Sequence, residues 1–131
     1  MSNDKKTVLV AVTDIFFYTK VRDALLPQGY QLERVRSQED VPQKAASLHP
    51  CAMIINMNDL TMDAFQALAA VKADATLNTM PILAFANHEE VDTWRRAKEL
   101  GVTKIVSRNE FSARTRDLVE EILGSGARGK A

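Results

Sequence analysis

Five short apolar runs, each followed by a stretch of helical periodicity, constrain this chain more than any other feature. "TVLVAV" (Thr7–Val12), "CAMII" (Cys51–Ile55) and "PILAFA" (Pro81–Ala86) are apolar at nearly every position. A strand without polar alternation has to be covered on both faces. "YQLERVR" (Tyr30–Arg36) alternates apolar and polar, as a half-exposed edge strand does. "TKIVS" (Thr103–Ser107) supplies a short fifth strand.

The segments between them carry helix signals. Asp14 is placed to cap a first helix, with Phe17, Val21, Ala24 and Leu25 on one face and Pro27 and Gly29 as stops. Ser37 to Leu48 predicts a second helix starting near Asp40, with Pro42 in its first turn and Val41, Ala45 and Leu48 as a thin apolar face. Asp63 is placed to cap a third, to about Lys72, buried through Phe65, Leu68 and Val71. Asn87 and Glu90 resemble a capping box for a fourth helix with Val91, Trp94 and Ala97, ending at Gly101. "FSARTRDLVEEIL" (Phe111–Leu123) predicts a fifth, through Phe111, Leu118 and Ile122. The Gly-rich end reads as a flexible tail over 125–131, leaving one domain over 1–124.

Strand and helix therefore alternate five times. That order predicts an α/β fold, a doubly wound five-stranded parallel sheet with helices on both faces. In such sheets the crevice lies beyond the carboxyl ends of the strands. The candidate site is thus Val12, Thr13 and Asp14, Asn56 to Asp59, Ala86 to His88, and Ser107 to Asn109.

Bulk properties narrow the function classes. The 131 residues favour one domain. Seventeen basic residues balance seventeen acidic ones, so no general attraction to nucleic acid or anionic membrane is expected. A single cysteine, Cys51, excludes an internal disulfide and fits a reducing compartment. No apolar run is long enough to span a bilayer and the N-terminal one is short for a signal peptide, so a cytoplasmic protein is expected. No Cys or His spacing suggests a metal site. The five glycines do not follow strands, which argues against a flavin, cobalamin or nucleotide enzyme.

The order of units, "GY" before the second strand, "MDAF" (Met62–Phe65) after the third, "PIL" opening the fourth and "AKELGV" (Ala97–Val102) before the fifth together resemble the receiver domain of bacterial response regulators. The resemblance spans Lys5 to Leu123 and implies a flavodoxin-like (βα)5 fold with strand order 2-1-3-4-5. It also implies a chemistry: phosphoryl transfer to an aspartate ending the third strand. Mg²⁺ is held by that aspartate and an acidic pair after the first strand, with a hydroxyl after the fourth strand and a lysine after the fifth.

The chain departs from that pattern at nearly every one of those positions. Asn56 falls at the acceptor, and a neutral carboxamide is a poor nucleophile. Val12 and Thr13 fall at the acidic pair, counting back from Gly29; a register one residue later puts Thr13 and Asp14 there. Ala86 replaces the hydroxyl. Arg108 replaces the lysine with a planar fork. Asn109 stands where the family has proline, and Ile105 where it has a reporting aromatic. The resemblance is therefore to a degenerate pseudo-receiver, with no acceptor, no metal and no cofactor.

Several residues carry two readings each. Asn56 either bonds across the crevice to Arg108 or satisfies its own loop. Asp59, Asp63 and Asp14 are either caps and loop residues or substitute acceptors. In "DIFFY" (Asp14–Tyr18) successive side chains point about 100° apart, so not all can face the core. Ile15 or Phe16 then plugs the crevice, forms a contact patch or packs on loops. Trp94 and Arg95 are of types enriched at interfaces. With Phe16 and Ile105 they form the candidate interaction surface.

The expected function is non-enzymatic: an atypical stand-alone receiver-like signalling or adaptor module of a bacterial two-component system, working by phosphorylation-independent protein–protein contact. The expected partner is another signalling protein (kinase, effector or output protein), and family analogy adds a homodimer through the fourth and fifth helices. The alternative is a phosphorylatable regulator using Asp59, Asp63 or Asp14.

Overall fold

The computed structural model describes residues 6–128. It contains five parallel strands: β1 (Thr7–Ala11), β2 (Gln31–Arg34), β3 (Ala52–Asn56), β4 (Ile82–Ala86) and β5 (Lys104–Ser107). They are ordered β2-β1-β3-β4-β5, with Val10 paired to Ile54, Asn56 to Phe85 and Ala86 to Ser107. The connecting helices are α1 (Ile15–Leu25), α2 (Asp40–Leu48), α3 (Ala64–Ala73), α4 (Val91–Glu99) and α5 (Arg108–Arg128).

The unbroken apolar runs split by strand parity onto two cores. Leu9, Ala11, Met53, Ile55, Ile82 and Ala84 pack with Val41, Ala45, Leu68, Val71 and Ala97 of α2, α3 and α4. Val8, Val10, Ile54, Leu83 and Phe85 pack with Val21, Leu25, Phe111, Leu118 and Ile122 of α1 and α5. Continuous apolarity was therefore a demand for cover on both faces. β2 is an edge strand, as its alternation predicts, but shorter than Tyr30–Arg36.

Helix starts follow local chemistry. Asp14 caps α1, its carboxylate accepting the N–H groups of Phe16 and Phe17. Asp63 caps α3 by accepting the N–H of Gln66 at 3.0 Å. After α1, a 3₁₀ turn over Leu26–Gln28 closes on Gly29 at φ 91°. Tyr30 then donates back to the Leu25 carbonyl, a closure that favours a residue without Cβ.

Two helix starts differ from expectation. α4 begins at Val91, and Asn87 does not cap it. The Asn87 side chain instead accepts the N–H of Glu89, two residues on, a turn that competes with helix entry. α5 begins at Arg108, not Phe111, because Ser107 supplies a cap directly at the strand end: its hydroxyl accepts the Glu110 N–H at 3.1 Å. The helix then kinks at Arg114 (φ −131°, ψ 30°), whose guanidinium bonds both Glu110 and Glu121. It continues to Arg128, four residues beyond the boundary expected at Gly124. The last residues of the expected tail, 129–131, lie outside the described residues.

Candidate functional site

A cleft of about 420 Å³ opens at the carboxyl ends of the strands, bounded by Thr13, Asp14, Asn56, Asn58, Asp59, Asn87, Glu90 and Arg108. It is the crevice that the topology requires. A hollow of similar volume lies along the seam between α1 and α5, away from the strand ends.

Asn56 sits on the floor of the cleft, 5 % exposed. Its side-chain oxygen accepts the N–H of Asn58 at 2.9 Å. No bond to Arg108 forms, so the amide serves its own loop. Two residues on, Asn58 ties that loop to the next one. Its oxygen accepts the Asn87 N–H at 2.6 Å, and its amide donates to Glu90 at 2.8 Å.

Asp59 makes the opposite connection. Its carboxylate accepts the Thr13 N–H at 2.8 Å and the Thr13 hydroxyl at 2.7 Å. It also accepts the N–H groups of Thr61 and Met62. Thr13 is held from behind as well, because Arg34 on β2 donates to its carbonyl at 2.7 Å and to that of Val12 at 3.3 Å. The Arg34 guanidinium lies over the Tyr18 ring, 4.6 Å from its centroid. The loops after β1, β3 and β4 are thus laced together by side chains.

The remaining candidates fall into place around this lacing. Val12 is fully buried with Val21 and Leu25 beneath the cleft, so it offers no ligand. Asp14 lines the cleft while capping α1. Ala86 is buried in the core toward α4. Arg108 borders the cleft, is exposed, and makes no hydrogen bond or ion pair among the described residues. No three His, Cys, Asp or Glu side chains among the described residues converge to hold a metal ion.

The expected interaction surface is only partly exposed. Ile105 is a correction: it is 8 % exposed and packs in the core beneath α4, because β5 turns it inward. Trp94 is half-buried against the same core, and its indole N–H donates to the Asn87 carbonyl at 3.0 Å. Arg95 is exposed but paired with Asp92 and Glu99 on its own helix; those carboxylates hold its guanidinium pKa above the usual value, the Asp92 hydrogen bond most. Phe16 is 58 % exposed and does not plug the cleft. Phe17 lines the cleft instead, and joins Phe85 and Phe111 in an aromatic stack with centroids 5.0 and 4.1 Å apart.

Arg34 and Glu90 lay outside the candidate set, and Asn58 lay inside it, within Asn56 to Asp59, without an assigned role. The signal for Arg34 was a cation at the carboxyl end of an edge strand. For Asn58 it was a second amide two residues after Asn56, within reach of the neighbouring loop.

No protein-family model and no curated protein matches the chain. Many solved structures do. The signal receiver domain of a signal transduction histidine kinase from Syntrophus aciditrophicus is 18 % identical with a TM-score of 0.80, covering 92 % of this chain and 91 % of that one. The receiver domain of a sensor histidine kinase from Pseudomonas aeruginosa PAO1, with a magnesium ion coordinated in its active-site cleft, is 15 % identical with a TM-score of 0.80, covering 93 % and 100 %. The chemotaxis protein CheY4 of Vibrio cholerae is 18 % identical with a TM-score of 0.79, covering 91 % and 99 %. The fold is that of the response-regulator receiver domains of two-component signalling. No helix among the described residues is long and apolar enough to cross a membrane.

Proposed function

We propose that this chain is a signalling or adaptor module that works by protein–protein contact, without phosphorylation at the cleft. The observation that carries the reading is the state of the cleft carboxylates. The strand-end position on β3 holds an amide engaged with its own loop. Asp59, which lines the same cleft, already accepts four hydrogen bonds. A carboxylate so engaged is a stabilised, weakened nucleophile.

The metal half of the chemistry is missing as well. Mg²⁺ takes hard oxygen ligands in near-octahedral geometry. Buried Val12 supplies none, Asn56 is neutral, and Thr13 spends its hydroxyl on Asp59. Asp14 and Asp63 each commit one carboxylate oxygen to a helix cap. Arg108 keeps a positive charge at the cleft edge but has no phosphoryl group to answer.

The test is amide NMR of the full chain with Mg²⁺ and beryllofluoride, a mimic of an aspartyl phosphate. The reading expects an unchanged spectrum. Saturable shifts across 56–63 and 86–88 would favour a regulator that uses a substitute carboxylate.

A further inference from the structure

Large apolar side chains are unevenly exposed on this molecule. Ile15 (62 %), Phe16 (58 %), Val91 (72 %) and the fully exposed Leu60 all lie at the carboxyl end of the sheet. Leu60 lines the cleft together with Asp14 and Glu90. Ile15 and Phe16 directly follow Asp14, and Val91 directly follows Glu90. The other exposed large apolar residues, Leu26 and Leu48, stand singly at the far ends of α1 and α2. A clustered apolar rim on an otherwise polar surface marks an interaction site, where scattered residues do not.

The centre of that rim has a charge. Asp14, Asp59 and Glu90 face the cleft against one guanidinium, Arg108. Each carboxylate is anchored mainly through one oxygen. Asp14 uses one for the Phe16 and Phe17 N–H groups, and Glu90 uses one for Asn58 and Thr93. Asp59 takes three of its four bonds on one oxygen. The second oxygens of Asp14 and Glu90 have no partner among the described residues. No three His, Cys, Asp or Glu side chains among the described residues converge to hold a metal ion, and a Lys or Arg side chain needs no such convergence to pair with a carboxylate. Lys20 already rests its ammonium near the Phe16 ring, 5.4 Å from the centroid, which fits that ring to a cationic partner.

We propose that the cleft mouth is a docking surface for a protein partner that inserts a Lys or Arg side chain toward Asp14 and Glu90 while flanking apolar residues cover Ile15, Phe16, Leu60 and Val91. This rests on the reading of the chain as a contact module and names its surface. The apolar rim supplies burial, and the acidic centre supplies selection for a basic residue.

The test pans the full chain against a phage-displayed random peptide library and measures the affinity of a selected peptide. Enriched sequences should combine Lys or Arg with large apolar residues. Leu60→Asp and Phe16→Asp should each weaken that peptide about tenfold or more, and Glu90→Gln several-fold. All three positions are exposed, and thermal melts verify that the variants fold. Acidic or chargeless consensus sequences, or full affinity in Leu60→Asp, would overturn the proposal. So would self-association abolished by Leu60→Asp in sedimentation, which would give the face to a second copy. Beryllofluoride NMR separates the two levels. A chain that binds beryllofluoride yet selects basic-apolar peptides loses only the phosphorylation-independent reading. One that ignores beryllofluoride and selects no such peptides loses only this surface.

Discussion

The carboxylate of Asp59 takes both the backbone N–H and the hydroxyl of Thr13, joining loops 46 residues apart in sequence. This pair ties the loop after β3 to the loop after β1 along one wall of the cleft. Arg34 holds the Thr13 carbonyl from the other side, so the loop after β1 is fixed at both ends of one residue.

Removing this latch should cost stability. Asp59→Ala should lose about 2–3 kcal/mol, since a hydrogen bond to a charged group contributes about 1.5–3 kcal/mol net. Thr13→Val, which keeps the N–H contact, should lose about 1 kcal/mol. In urea unfolding the double variant should cost about 1 kcal/mol less than the sum, because both changes delete one interaction. Strict additivity would show that the contact contributes nothing.

Restoring the acceptor alone should not restore the chemistry. Asn56→Asp puts a carboxylate at a position only 5 % exposed, with buried Val12 and latched Thr13 where metal ligands would be needed. Incubation with acetyl phosphate and Mg²⁺ should leave its intact mass unchanged, and stability should fall by about 1–3 kcal/mol. A mass gain of one phosphoryl group would show that the cleft supports phosphoryl transfer without further acidic ligands.

The two sets of aromatic and aliphatic side chains near the cleft should separate cleanly. Phe85 is fully buried and stacked on Phe111, so Phe85→Ala should cost about 3–5 kcal/mol. Leu60 is fully exposed, so Leu60→Asp should change stability by no more than about 0.5 kcal/mol. Chemical denaturation measures both, and a large loss in Leu60→Asp would mean that the rim is structural.

Burial raises the Cys51 thiol pKa, with its own backbone N–H and Lys6 opposing in part. The folded state therefore keeps the thiol proton to higher pH than the unfolded chain does. That contribution to stability is complete below the unfolded thiol pKa of about 8.5 and is lost as pH rises through the folded value. Alkylation of Cys51 by iodoacetamide should show a midpoint above the ordinary thiol range. A midpoint at or below it would mean that the strand end is open to water.

The sheet was legible because its cause is local and repeated. Runs such as "CAMII" and "PILAFA" demand cover on both faces, and only alternation with helices provides it. Asp14 and Asp63 were legible as caps because a cap needs only its own next three residues. The start of α5 was not, since a short serine cap at the end of β5 outweighs the apolar signal of Phe111. The latch between Thr13 and Asp59 was not legible either. Its two residues are ordinary loop residues whose meeting depends on β1 and β3 being neighbours. Ile105 misled because its place in a resembling family suggested exposure, whereas here strand parity turns it toward Ala97 and the α4 core.

The proposed function requires that no phosphoryl chemistry reside in this cleft. It is tested most directly by titrating beryllofluoride and Mg²⁺ into isotopically labelled protein and following the amides of Asn56, Asn58, Asp59 and Asn87. No saturable change is expected at any of the four. Saturable shifts at these residues, abolished by Asp59→Asn or Asp14→Asn, would contradict it.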